Sequence, residues 1–181
     1  QVLYFLAENL EIRSMEFQKR IMDLSGCSKK QSKLEFDTTI RRIFTYAALA
    51  DKHEGLVHEP PIRGLALALN EPIGVIGIVC PDETPLLGMV SMLLPAIAQG
   101  NTVVIVPSKP YGLVATDFFQ VIETSDIPSG VVNIVTGDSK ELAIHLAKHD
   151  DVDGMLVSGT KEECTVVKKY SAGNLKIVWT N

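Results

Sequence analysis

The residues best suited to chemistry cluster in Cys80-Pro81-Asp82-Glu83-Thr84-Pro85, at the end of an apolar run. A thiolate can attack carbon, and a carboxylate can move a proton. Neighbouring side chains diverge, so Asp82 and Glu83 do not form a concerted acid/base pair. Their charge would raise the Cys80 pKa, and no base or cation stands nearby in sequence to oppose it. Cys80 is therefore expected to be structural and buried. A second group, Ser158-Gly159-Thr160, also follows an apolar run, at the start of a helix. Free N–H groups and the helix dipole can hold a phosphate there, with Gly permitting close approach. The stretch is no GxGxxG fingerprint, however, and Glu162 and Glu163 in the same turn oppose an anion. The favoured reading is a turn capped by Thr160.

The other candidates are weaker. His145 and His149 are one helical turn apart, without the Glu of an HExxH motif, and read as a solvated face. Asp150-Asp151-Val152-Asp153 lacks the Gly and Glu of a calcium loop. Cys164 lies within a helix, and Cys27 lies in a loop beside Lys29 and Lys30 without a visible catalytic partner.

The elements that must position these groups follow from periodicity. Leu3, Leu6, Leu10, Phe17, Ile21 and Leu24 recur at helical spacing, with a break near Ser14. A second helix is expected over Gln31–Lys52. Gly55 to Asn70 reads as a loop followed by an extended strand, Leu65–Leu69, forming an arm outside the main sheet. Strands are expected near Ile73–Cys80, Thr102–Val106, Val131–Val135, Gly154–Ser158 and Leu175–Trp179. Helices are expected near Thr84–Ala98, Tyr111–Thr124, Ser139–His149 and Thr160–Ser171. Apolar strands alternating with helices imply an α/β fold: a Rossmann-like parallel sheet with helices on both faces. Right-handed crossovers gather the turns after the strands on one edge, where ligands bind. The expected organisation is a helical segment over 1–54 packed on the core, a linker and arm over 55–70, and an α/β domain over 71–181.

Composition restricts the partners. The net charge is −5 over 181 residues, which opposes binding to nucleic acid or an anionic membrane. Thr84 to Ser108 carries no charge and is long enough to cross a bilayer, but Pro85, Pro95 and Gln99-Gly100-Asn101 divide it into a helix and a strand. Three widely spaced cysteines suit neither a disulfide framework nor a zinc site, and there is no signal-peptide pattern, so a cytoplasmic setting is expected.

Six blocks then agree in order and spacing with a known family: EPIGVIG with Pro-x-x-x-Pro, LLPAIAQGNTVVIVPS, IPSGVVNIVTGD, DDVDGMLVSGT and NLK. They resemble the NAD-binding domain of the aldehyde dehydrogenase superfamily along essentially the whole chain. ADKHEGLVHEPPIRGLALALNEPIG, TSDIPSGVVNIVTGD and SAGNLKIVW look closest to the second, non-catalytic unit of family 16 proteins. The resemblance implies a fragment of a longer polypeptide, whose remainder is its first partner, and a homo-oligomer formed through the arm strand.

It also implies roles for individual positions. Glu83 stands where the family has its oxyanion-binding Asn. Val106 and Lys109 replace the ribose-binding Lys and Glu, while Pro107 and Ser108 keep the local shape. In the phosphate turn Gly159 is retained, and Cys164 replaces the second Gly. Asn181 falls on the water-activating Glu, and the nucleophilic Cys lies beyond the chain. The cleft implied by the family comprises Cys80, Pro81, Asp82, Val106, Pro107, Ser108, Lys109, Ser158, Gly159 and Thr160. No cofactor is assigned; NAD or NADP would enter if that cleft still functions. The expectation is a dehydrogenase-like domain without catalysis. The alternative is the cofactor-binding part of an active NAD(P)-dependent enzyme.

Overall fold

The computed structural model describes residues 1–180. Three helices come first, α1 (Val2–Ile12), α2 (Ser14–Ser25) and α3 (Lys29–Leu49). The break near Ser14 is present as the single residue Arg13 between α1 and α2, and Gly26 ends α2 in the left-handed conformation. Helix α3 starts two residues earlier than its apolar pattern suggests. Ser28 and Gln31 form a capping box that draws Lys29 and Lys30 into the first turn.

Strands β1 (Leu56–His58) and β2 (Ala66–Ala68) then form an antiparallel hairpin. The expected loop before the arm is thus partly a strand, and the arm is paired within its own chain. Three residues are too few for periodicity to reveal β1. Every residue of both strands is exposed, and Leu56, Val57, Leu65, Leu67 and Leu69 face solvent. A lone two-stranded ribbon has little independent stability.

The core alternates β3 (Val75–Val79), α4 (Pro85–Ala98), β4 (Thr102–Val106), α5 (Gly112–Glu123), β5 (Val132–Ile134), α6 (Ser139–Lys148), β6 (Gly154–Val157), α7 (Lys161–Tyr170) and β7 (Ile177–Thr180). A 3-10 turn, Lys109–Tyr111, precedes α5, so that helix starts one residue later than expected. The sheet order is β5-β4-β3-β6-β7, and every pairing is parallel. The chain therefore winds outward from β3 in one direction and returns to wind the other way from β6. The order reverses between β3 and β6.

Helices α1 to α5 cover one face. Leu6, Leu10, Phe17, Ile21, Phe36 and Ile43 share that core with α4, α5 and the inward residues Ile76, Ile78, Val103 and Ile105. Helices α6 and α7 cover the other face through Ala143, Ala147, Cys164 and Val167 against Val79, Met155 and Val157. Arg20 fastens the first layer by donating from Nε to Asp117 on α5 at 2.7 Å. At the entrance to β3, buried Asn101 accepts from the N–H of Ile73 and Gly74 and donates to the carbonyl of Ala96.

No helix among the described residues is long and apolar enough to cross a membrane. The uncharged stretch is α4 and β4 instead.

Helix α4 has an unusual cap. Thr84 is left-handed and gives no side-chain cap, so Glu35 on α3 supplies the acceptor. Its Oε1 receives the N–H of Leu86 at 2.9 Å and of Leu87 at 3.2 Å. Burial raises the pKa of this carboxyl above its ordinary 4.5, although the two N–H groups pull the other way. The folded state then holds more protons than the unfolded one, so Glu35 makes stability decline as pH rises from 4.5 through the raised value. Thermal unfolding across that range should show the decline, and Glu35→Gln should flatten it while keeping an acceptor. Glu35→Ala, which leaves both N–H groups unpaired, should cost about 1–3 kcal/mol.

Candidate active site

The order reversal opens a cleft of about 600 Å³ beyond the C-terminal ends of β3 and β6. Its floor and walls are apolar, built from Val79, Val157, Ala143, Ile144, Val166 and Val167. Its rim carries Asp82, Glu83, Lys140, Glu162 and Glu163. Of the residues expected to form the site, Cys80, Pro81, Asp82, Ser158, Gly159 and Thr160 line this cleft, and Glu83 joins them. Val106, Pro107, Ser108 and Lys109 do not line it. They follow β4, one strand further out. Asn181 lies outside the described residues.

Each turn at this edge is held by contacts within the chain. Ser108 is buried, and its hydroxyl donates to Asp82 Oδ1 at 2.6 Å, tying the turn after β4 to the turn after β3. Lys109 turns outward and donates from Nζ to Asp138 Oδ2 at 2.9 Å. Asp138 caps α6 by accepting from the N–H of Lys140 and Glu141, and Lys109 and these bonds hold its carboxyl below the ordinary range. Thr160 and Glu163 form a capping box on α7. Glu163 Oε2 accepts from the Thr160 N–H at 2.8 Å, and Thr160 Oγ1 accepts from the Glu163 N–H at 3.3 Å. Lys140, the one basic side chain lining the cleft among the described residues, reaches Glu163 Oε1 at 3.2 Å.

A nucleophile is not prepared here. Burial pushes the Cys80 thiol far above the ordinary value, as expected for a structural cysteine. Cys164 is also buried, its Sγ directed at the Gly159 carbonyl at 3.7 Å. His145 lies on an exposed face near Glu141, and His149 Nδ1 accepts from the Asp151 N–H at the end of α6. No group of three or more potential metal ligands occurs among the described residues. Glu83 is exposed at the cleft mouth and forms no ion pair among the described residues.

Sequence reasoning missed the contribution of α6, which supplies Ser139, Lys140, Ala143 and Ile144 to the cleft. Nothing in the spacing of α6 reveals that it leans over β3. The Thr160–Glu163 box was visible as the pattern Thr-x-x-Glu.

A doubly wound parallel sheet with a cleft at its order reversal defines a dinucleotide-binding type of α/β unit. The chain belongs to the aldehyde dehydrogenase family, whose model matches residues 1–181. It is 33% identical over 153 residues to a betaine aldehyde dehydrogenase of Bacillus subtilis, covering 84% of this chain and 31% of that protein. To the NADP/NAD-dependent aldehyde dehydrogenase PuuC of Escherichia coli it is 35% identical over 140 residues, 77% of this chain and 28% of that one. The structure superposes on an NAD-dependent aldehyde dehydrogenase from Sinorhizobium meliloti with a TM-score of 0.95 and 26% identity, covering 99% of this chain and 36% of the other. The chain therefore spans about a third of the length of these curated relatives.

The family implies a nicotinamide dinucleotide, and the residues at α7 fit its phosphates poorly. A Cβ placed on Gly159 would lie 2.8 Å from Glu163 Oε2, so a carboxylate already occupies the space over this glycine. Between like charges about 4 Å apart the repulsion is about 1 kcal/mol in bulk water and about 4 kcal/mol at surface-like screening.

The thiols offer a direct check on the burial. Native protein at pH 8 should react with a maleimide or disulfide reagent through half-buried Cys27, while Cys80 and Cys164 should react only after unfolding. Rapid native modification of Cys80 would contradict its burial.

Proposed function

We propose that this chain is a non-catalytic aldehyde dehydrogenase-family domain, retained for structure and assembly in a longer cytoplasmic protein. In this reading the chain corresponds to the second unit of family 16 proteins, which its segments ADKHEGLVHEPPIRGLALALNEPIG and SAGNLKIVW resemble. The observation that carries the reading is the exposed carboxylate of Glu83 at the cleft mouth. Stabilising an oxyanion requires donors, and an ionised carboxylate only accepts. The buried Cys80 thiol and the bond from Ser108 to Asp82 support the same reading, because they spend the turn on holding its own shape.

Filling the cleft in the full-length polypeptide tests this reading. Ser158→Tyr should leave NAD(P)-dependent aldehyde oxidation within about twofold of the parent, because no transition-state contact is lost. A fall of about tenfold or more, with circular dichroism unchanged, would sink the reading and favour the cofactor-binding part of an active enzyme.

The assembly role rests on the β1–β2 hairpin, whose exposed leucines touch little else in the chain. An unpaired strand edge carrying apolar side chains is a template for a second chain, and the proposed partner is another copy. Leu67→Lys should lower the assembly state seen by light scattering and leave the melting temperature of the core unchanged. A mass unaffected by this substitution would count against the arm.

A further inference from the structure

We infer that Glu163 is a specificity-determining residue that keeps dinucleotides out of the cleft by standing, as an internal anion, where a phosphate would bind. The inference concerns binding alone and goes beyond the question of catalysis. Three observations carry it. Glu163 Oε2 accepts the Thr160 N–H at 2.8 Å, making the contact that a phosphate oxygen would seek at this helix terminus. The same oxygen rests over Gly159, the position whose missing side chain would admit a phosphate closely. The other carboxylate oxygen takes Lys140 at 3.2 Å, so the only cation lining the cleft among the described residues is already paired.

These contacts also keep Glu163 ionised. The Thr160 N–H, followed by Lys140, holds its carboxyl below the ordinary 4.5. An entering dinucleotide must displace the carboxylate from both partners or accept its repulsion. Lys161 and Glu162 still have N–H groups pointing out of the helix, but the Glu162 side chain stands at the same rim. Glu163 differs from Glu162 in touching the seat itself. Glu162 makes no such contact among the described residues, which provides a control of equal charge change.

Calorimetric titration of the 181-residue protein with NAD+, NADP+ and inorganic pyrophosphate tests the inference. Wild type should bind none of them below about 1 mM, an affinity worth about 4 kcal/mol. Glu163→Gln removes the charge but keeps the side chain's length, and Glu163→Ala also vacates the seat. Both should bind pyrophosphate and a dinucleotide about tenfold or more tightly than wild type, with Ala showing the larger gain. Glu162→Gln should change binding by less than about twofold, as expected for a screened charge off the seat. Circular dichroism should show α7 still folded in each variant.

Tight NAD+ binding by wild type would overturn the inference. So would variants of Glu163 that fold and bind no better than wild type, or an equal gain in Glu162→Gln, which would indicate net charge instead of the seat. None of these readouts depends on turnover. The non-catalytic reading is decided separately, by aldehyde oxidation in the cleft-filled polypeptide.

Discussion

Strand β3 is paired on both sides, with β4 and with β6, and covered on both faces. That double confinement is the constraint from which the rest follows. It demands a continuous apolar strand, supplied by Val75 to Val79 and prolonged by the buried thiol of Cys80. Gly77 is needed because a Cβ there would meet Met155 Sδ at 2.5 Å. Because the chain leaves β3 in one direction and returns to its other side, the turns after β3 and β6 cannot close over one another. The gap between them is the cleft.

Four helix N-termini meet this edge of the sheet; that of α5 has no side-chain cap, and the other three are answered by a carboxylate of the same chain. Glu35 caps α4, Asp138 caps α6 and Glu163 caps α7. At Asp138 and Glu163, whose carboxyls are held below the ordinary range, the anion stabilises the helix dipole. Glu35 contributes as a buried hydrogen-bond acceptor, so each contact has a structural value independent of any ligand. The free N–H groups at the starts of α4, α6 and α7 are thus partly satisfied from within the chain. Lys109 and Lys140 are committed to Asp138 and Glu163. A family cleft suited to a phosphate-rich molecule is here bordered by Asp82, Glu83, Glu162 and Glu163.

The N-terminal helices are part of the support of this edge and not an appendage to the sheet. Glu35 reaches from α3 to the start of α4, and Arg20 reaches from α2 to Asp117 on α5. Ser108 thus holds the turn from Pro81 to Thr84 at Asp82, and Glu35 holds the first turn of α4 that follows it. The β1–β2 hairpin is the contrasting case. Its side chains are exposed and contribute little to this core.

Much of the fold was legible in the residues themselves. The 3.6-residue repeat of Leu3, Leu6 and Leu10, the uninterrupted apolar runs at Val75 and Thr102, and the breaks at Gly26 and Gly100 mark local faces and stops. These signals depend on side-chain direction along one element, which sequence encodes directly. Strand β1 was missed because three residues carry no period. The Glu35 cap was missed because its partners lie about fifty positions away. By itself the sequence determined the elements of the core, the parallel sheet, the family and the chemical character of the turns at Pro81–Pro85 and Ser158–Thr160. The tertiary structure alone decided which turns share the cleft. It placed α6 there, set Val106 to Lys109 aside and brought Lys140 to Glu163. The lateral order of strands and the reach of side chains between elements are set by packing at long range, which no local pattern records.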